Sequence, residues 1–318
     1  MFLTGPAVVR QAVGEEIGFA ELGGSRVQRR NGVCHFVAPT HVAAIDLVPK
    51  LLSYLPQNAW EAPPITAPEE PPDGDPGQWV PAEAHRVYDV RNVIGSIVDG
   101  GDMLEYAPHW APNIVTALCR IAGRSIGVIA NQPKHLGGVL DAESAQKGGR
   151  FVRMCNLFGL PLVALVDTPG FLPGSKQERG GVIRHGAKLV HAFAEATVPK
   201  VSIVLRKAYG GAYITMNAKD LGADFAFAWP GAEIGIMAAK QAVEIMHRNE
   251  LRDGDPSAAD RLADRYSEQY LSAHVALRDG FLDEMIEPAE TRRRLAKAFG
   301  TLEALIHDRG PIARNIPL

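Results

Sequence analysis

Cysteine is scarce: Cys34, Cys119 and Cys155 are spread over 318 residues with no C-x-x-C pair. That excludes a zinc ribbon and a disulfide framework, and the chain reads as cytosolic. Each thiol sits in an apolar context, so core packing is expected. An excess of one charge is also missing. The 33 Lys+Arg against 36 Asp+Glu leave a formal net charge of −3, whereas a duplex-binding domain carries a basic cluster on one face. The densest basic run, Arg292-Arg293-Arg294, lies in a stretch of helical pattern and reads as a solvated face. No apolar run approaches the roughly 20 residues of a membrane helix. Met1–Glu16 has neither the basic flank nor the apolar stretch of a secretory signal. Two motifs are absent as well, the phosphate loop G-x-x-x-x-G-K-[ST] and the nucleophile elbow G-x-S-x-G. Asp167-Thr168-Pro169-Gly170 and Asn217-Ala218-Lys219-Asp220 therefore echo GTPase motifs without a loop to cradle phosphates. What is present is ample apolar material, 46 % of the chain, enough for one α/β domain with an appendage.

Composition breaks once, between Pro56 and Pro81, where eight of 23 prolines and five acids occur without a lysine or arginine. Proline removes donors and fixes φ, so an extended, exposed linker is expected over residues 56–81. Residues 1–55 read as a helix from Gly5 to Val13, a glycine-rich turn at Leu22-Gly23-Gly24 and a helix from Thr40 to Tyr54. A piece of that size is a doubtful independent fold, and is expected to be the end of something larger. From residue 82 to 318, short apolar runs alternate with helical patterns. Ser125–Asn131, Leu162–Val166 and Val201–Leu205 lack period-two alternation, the mark of strands covered on both faces in a parallel sheet. Phe225–Ala228 and Gly235–Met237 read as further strand pieces. Asp141 is the expected N-cap of a helix whose Phe151, Met154, Cys155 and Phe158 share one face. A helix over 181–196 puts Ile183, Ala187, Val190 and Ala194 on one side, and late helices are expected near 258–274 and 290–309.

The sharpest local signal is Tyr209-Gly210-Gly211-Ala212-Tyr213, where an apolar strand runs into glycines and then a helix. The first N–H groups of a helix lack intrahelical partners and sit at the positive end of its dipole. Two adjacent amides there suit a developing oxyanion, although the glycines also serve as a plain strand-to-helix turn. Gly137-Gly138, after the Ser125–Asn131 strand, could shape the same pocket. Gly148-Gly149 sits oddly inside a helix, where glycine costs about 1 kcal/mol against alanine, and close packing against another backbone explains it. His185 and His191 are six apart, which is not metal-ligand spacing on a helix, and no metal is expected. With no evident side-chain acid, base or metal, the plausible chemistry is one in which backbone amides do the electrostatic work.

Asp167–Gly174 with Gln177-Glu178, Ile183–Ala187, Glu195–Lys200, Arg206–Tyr213 and Leu221–Pro230 closely resemble the carboxyltransferase β subunits of biotin-dependent acyl-CoA carboxylases of propionyl-CoA and acetyl-CoA type. Asn113–Val115, Ala130–Pro133 and Asn315–Leu318 match as well, so the resemblance covers nearly the whole chain. It implies a crotonase-like α/β fold, a parallel sheet with flanking helices. It also implies two such halves in complete members, one gripping acyl-CoA and one receiving biotin, usually within a hexamer. Residues 1–55 then correspond to the end of the acyl-CoA half and 82–318 to the biotin-side domain, and the chain is expected to lack most of the first half. Carried over, the amides of Gly211 and Ala212 stabilise the biotin oxygen. Tyr209, Gly210, Tyr213, Ile214, Gly170, Phe171, Gly137 and Gly138 would line the substrate site. Many propionyl-CoA members read Y-G-G-A-Y-D, whereas Ile214 follows Tyr213 here, which removes a carboxylate from the acyl pocket. No Met-Lys-Met site occurs, so biotin is expected on a separate chain together with a biotin carboxylase. Neither nucleic acid nor a membrane is an expected partner. The resemblance leaves two other roles open: a methylmalonyl-CoA decarboxylase or transcarboxylase subunit, and a non-catalytic scaffold in a carboxylase hexamer.

Overall fold

The apolar runs become the middle of one sheet in the computed structural model, which describes residues 1–58, 60–72, 74–248 and 256–303. Four helices come first: α1 (Pro6–Val13), α2 (Phe19–Gly23), α3 (Ser25–Gln28) and α4 (His41–Leu52). None of α1, α3 or α4 has a fully buried residue. The described residues between 56 and 81 follow, mostly without helix or strand but tied down. The Thr66 amide donates to the Gly123 carbonyl at 2.9 Å, Ile65 bridges Arg124, and Pro76–Trp79 closes a 3-10 turn with Pro76 buried.

The remainder comprises α5 (Val90–Gly95), β1 (Met103–Glu105), β2 (Ile114–Ile121), β3 (Arg124–Asn131), α6 (Ala142–Phe158), β4 (Leu162–Thr168), α7 (Ser175–Arg179), α8 (Val182–Glu195), β5 (Lys200–Tyr209) and α9 (Gly210–Thr215). Then come β6 (Phe225–Ala228), β7 (Glu233–Gly235), α10 (Ala239–Met246), α11 (Pro256–Tyr266), α12 (Ala273–Arg278), β8 (Glu284–Met285) and α13 (Thr291–Thr301). Strand order is β1-β2-β3-β4-β5-β6-β8, with β7 also paired to β5. From β3 onward every pairing is parallel; β1-β2 and β2-β3 are antiparallel. The parallel, helix-flanked sheet agrees with the expected fold. The antiparallel edge was not foreseen, because β2 carries Thr116 and Arg120 inside its apolar run and hid as a strand.

Apolar side chains pack on both faces of the sheet. Phe151, Val152 and Cys155 of α6 and Leu189 and Phe193 of α8 cover one face; Val90, Val93 and Ile94 of α5 and Leu295 and Phe299 of α13 cover the other. Asp141 caps α6, accepting from the Ser144 amide at 2.8 Å while the Ser144 hydroxyl answers the Asp141 amide. Two helix faces differ from expectation. Phe158, in the last turn of α6, is 39 % exposed, and Val152 takes its place in the core. In α8 the larger set Val182, Leu189 and Phe193 is buried, and Ile183 is left 79 % exposed on the outer side. Gly148 and Gly149 let α6 and α8 touch: a Cβ at 149 would meet the Lys188 carbonyl at 3.3 Å. Cys119 and Cys155 are buried as expected, but Cys34 is only half-buried, donating its thiol to the Phe36 carbonyl at 3.0 Å. Residues 304–318, including the Asn315–Leu318 match, lie outside the described residues. Among the described residues no helix is long and apolar enough to cross a membrane.

Candidate active site

Because β3, β4 and β5 run parallel, their C-terminal ends deliver three loops to one edge of the sheet, where ligands of open α/β sheets bind. β3 leads into the Leu136–Gly138 turn, β4 into Pro169–Gly174 and β5 directly into α9. The first two loops are laced together. Leu140 donates to the Gly170 carbonyl at 3.0 Å, Leu172 donates to the Leu140 carbonyl at 2.7 Å, and Leu140 and Phe171 form a parallel bridge. Gly138 (φ +80°) is fixed by close approach: a Cβ there would stand 2.5 Å from the Asp167 carbonyl.

The β5-to-α9 junction turns on Gly210, whose φ of +59° disfavours any residue with a Cβ. Tyr209 is the N-cap of α9 and provides no side-chain cap, so Gly211 and Ala212 occupy the second and third helical positions. Their N–H groups have no carbonyl four residues back within the helix, and among the described residues no turn, loop or cap bond takes them. Gly211 is exposed, and Ala212 turns its methyl into the core. Phe171 is seated between two glycines. A Cβ on Gly211 would lie 3.9 Å from its ring and one on Gly186 would lie 3.1 Å away. Gly137 and Gly170 face open space, with nothing within 4 Å of an added Cβ.

The amides of 211 and 212, Gly210, Phe171 and Gly170 thus come together, with Gly137-Gly138 on the adjoining loop. Tyr209 is buried, its hydroxyl donating to the Glu233 carboxylate, and burial with that acceptor raises its pKa. Tyr213 is partly buried against the core, its pKa raised to about 12 by burial and by Asp220. Both phenols stay protonated at neutral pH and neither is a base. Ile214 is 49 % exposed.

Beneath the loops lies a charged cluster that sequence reasoning passed over. Asp167, at the end of β4, has no exposure. It pairs with Arg206 at 3.1 Å and with Lys207 at 3.9 Å, and accepts from the Tyr88 hydroxyl at 2.9 Å. Burial pushes the Asp167 carboxyl up against the pull of both cations, and pushes Lys207 down. Arg206 also donates to the carbonyls of Pro81, Glu83 and Arg86, and lies over the Tyr88 ring. Charges at matching ends of two adjacent apolar strands were the available signal; sequence reasoning reads Asp167 as a GTPase echo and, with Arg206 and Lys207, as part of the family motifs, never as an ion pair. Lys147 in α6, also fully buried, went equally unnoticed.

The chain matches the carboxyl transferase domain over residues 1–308. The chain belongs to that family. The chain is 45 % identical over 304 residues to the methylmalonyl-CoA carboxyltransferase 12S subunit of Propionibacterium freudenreichii subsp. shermanii, covering 94 % of this chain and 58 % of the relative. It is 44 % identical over 301 residues to the carboxyltransferase subunit of propionyl-CoA carboxylase from Haloferax mediterranei, covering 93 % and 58 %. A crystal structure of transcarboxylase 12S, described as a hexamer assembly, superposes with a TM-score of 0.92 at 43 % identity, covering all of this chain and 62 % of that one. The chain therefore spans about three fifths of the length of these relatives.

Proposed function

We propose that this chain carries the biotin-side chemistry of carboxyl transfer between carboxybiotin and a short acyl-CoA such as propionyl-CoA or acetyl-CoA. The observation that carries this reading is the pair of amides at Gly211 and Ala212 in the first turn of α9, without a hydrogen-bond partner among the described residues, the first on an exposed residue beside Phe171 and the second on a fully buried one. The ring and the two amides fit a planar ureido group, since Gly211 is exposed and Gly137 and Gly170 leave space around it. When bound, carboxybiotin supplies the CO2 and a ureido nitrogen able to take the acyl α-proton. The Gly211 and Ala212 N–H groups donate to the ureido oxygen as it gains negative charge, an effect typically worth about 3 kcal/mol per donor. Phe171 provides an apolar wall, and Tyr209 and Tyr213, held neutral, leave proton transfer to the ligand.

Residues 1–55 belong in this reading to the acyl-CoA half, residues 56–81 are the connection and residues 82–318 are the biotin-side domain. Gly211 is exposed, which agrees with completion of the site by a second subunit in a cytoplasmic hexamer and with biotin arriving on a separate chain together with a biotin carboxylase. A reading in reverse, as a decarboxylase or transcarboxylase subunit, is supported by the 12S relative. It is also supported by 42 % identity, over all of this chain, to the α subunit of methylmalonyl-CoA decarboxylase from Propionigenium modestum.

The test is carboxyl transfer from carboxybiotin to acyl-CoA in an assembly containing this chain, comparing Gly211→Ala with Gly211→Pro. Alanine keeps the amide and meets only ordinary contact with Phe171. Proline is tolerated in the first helical turn but removes the donor. Loss of about 100-fold in kcat with proline and near-normal turnover with alanine are expected. Unchanged turnover with proline would leave a scaffold role instead.

A further inference from the structure

The groove between α6 and α8 contains a cavity of about 460 Å³ that the carboxyl-transfer chemistry does not use. Arg150 and Arg153 of α6 and Arg184, Lys188 and His191 of α8 line it, with Trp110 alongside. Glu143 also lines it, and its oxygen already accepts from the Trp110 indole N–H. Elsewhere several partly buried arginines are matched by carboxylates, Arg91 by Glu105, Arg206 by Asp167, Arg292 by Asp99 and Arg294 by Glu284, while Arg120 donates instead to the carbonyl and hydroxyl of Ser53. In the groove only Arg153 is so matched, by Glu195 at 2.7 Å. Lys188 reaches the amide oxygen of Gln146 at 3.4 Å, and Arg184 reaches the ring of its neighbour His185 at 3.1 Å. Among the described residues Arg150 has no carboxylate or carbonyl partner; its guanidinium lies 5.9 Å from the centre of the Trp110 ring.

The uncompensated charge acts on two neighbours. His35 is harder to protonate than usual through burial and Arg150, and His185 through burial, Lys188 and Arg184. Three unmatched cations around one satisfied carboxylate call for a ligand with at least two negative charges, and the volume is that of a small-molecule site. Guanidinium forks match phosphate oxygens bidentately, whereas a carboxylate brings a single charge.

We propose that the α6–α8 groove is a binding site for a diphosphate-bearing small molecule, its phosphates seated among Arg150, Arg184 and Lys188. The site is tested by binding alone. Calorimetric titration of the full chain with inorganic pyrophosphate and, separately, with ADP is expected to show sub-millimolar affinity that weakens as salt is raised. Tighter binding of ADP assigns a nucleotide; equal binding assigns free diphosphate; either upholds the site. Arg150→Gln is expected to weaken binding about tenfold, the typical worth of one charge-assisted contact. The double variant Arg184→Gln/Lys188→Gln, whose side chains lie toward the surface of α8, gives the same reading if Arg150→Gln disturbs the packing on Trp110. Arg293→Gln, 64 % exposed on α13, serves as the control for net charge. Absence of binding with both probes, or equal weakening by the α8 variant and the Arg293 control, overturns the proposal.

Discussion

Lys147 lies wholly out of solvent in α6, its ammonium donating to the carbonyls of Ile114 at 2.7 Å and Ala111 at 3.5 Å. Burial without an adjacent carboxylate pushes its pKa down to about 7, with Glu105 raising it slightly and Arg91 lowering it. The unfolded chain binds more protons at this position between pH 7 and about 10.5, so stability rises with pH across that window, by up to about 1.4 kcal/mol per pH unit. Lys207, also lowered, adds in the same direction, while the raised thiols of Cys119 and Cys155 reverse the slope above about 9, the ordinary thiol value. Urea midpoints are therefore expected to increase from pH 7 to 9, and Lys147→Met to flatten most of that increase. A Lys147→Met slope equal to that of the parent would show that the folded chain leaves the lysine at its ordinary pKa. Gly210 offers a purely steric counterpart. Gly210→Ala places a Cβ at a φ of +59° and 3.0 Å from the Ile236 carbonyl, and a loss of about 1–3 kcal/mol is expected in the same urea measurement. Gly211→Ala, which meets no such contact, should stay within about 0.5 kcal/mol of the parent.

At the scale of elements, the sequence was legible where one rule decided the outcome. β3 to β6 announced themselves as unbroken apolar runs, Asp141 as the cap of α6, and Gly210-Gly211-Ala212 as a strand-to-helix junction. Rules failed where two signals competed. Ile183 and Ala187 have helical spacing, but Val182, Leu189 and Phe193 fill more volume against the sheet, so α8 is rotated the other way. β2 was missed because an arginine and a threonine interrupt it, and the Asp167 cluster because nothing local marks which charges will be buried together. That cluster joins β4, β5 and residues 81–88, and breaking it on one side leaves Arg206 desolvated. Asp167→Ala is expected to cost about 3–5 kcal/mol in chemical denaturation, and Asp167→Ala/Arg206→Met less than the single change, because removing both charges ends the imbalance. If the double variant is the weaker of the two, the coupling between β4 and β5 rests on packing rather than on the ion pair.

On the scale of the whole molecule, distant parts of the chain are fastened by single side chains. The basic triplet on α13, expected to be solvated, is split by the fold into three roles. Arg293 remains exposed beside Glu290, Arg294 pairs with Glu284 of β8, and Arg292 is turned inward. Arg292 meets Asp99 at 2.7 Å and donates to the carbonyls of Ile97 at 3.0 Å and Glu69 at 2.8 Å. Asp99 in turn accepts from the amides of Ala122 at 2.9 Å and Gly123 at 2.6 Å, at the β2–β3 turn. One guanidinium therefore ties the proline-rich segment, the β2–β3 hairpin and the last described helix to one another, although these lie more than 200 residues apart at the extreme. Composition alone marks residues 56–81 as an open linker, and long-range contacts of this kind are what hold it to the sheet edge. Arg292→Ala is expected to lower stability by about 1–3 kcal/mol, the worth of a mostly buried charge with its hydrogen bonds removed. It should also expose residues 66–72 to proteolysis at protein concentrations where the parent resists. The same change at Arg293, differing only in where the fold has put the side chain, should do neither; equal cleavage of both variants would place the fastening of the linker in its own proline backbone instead.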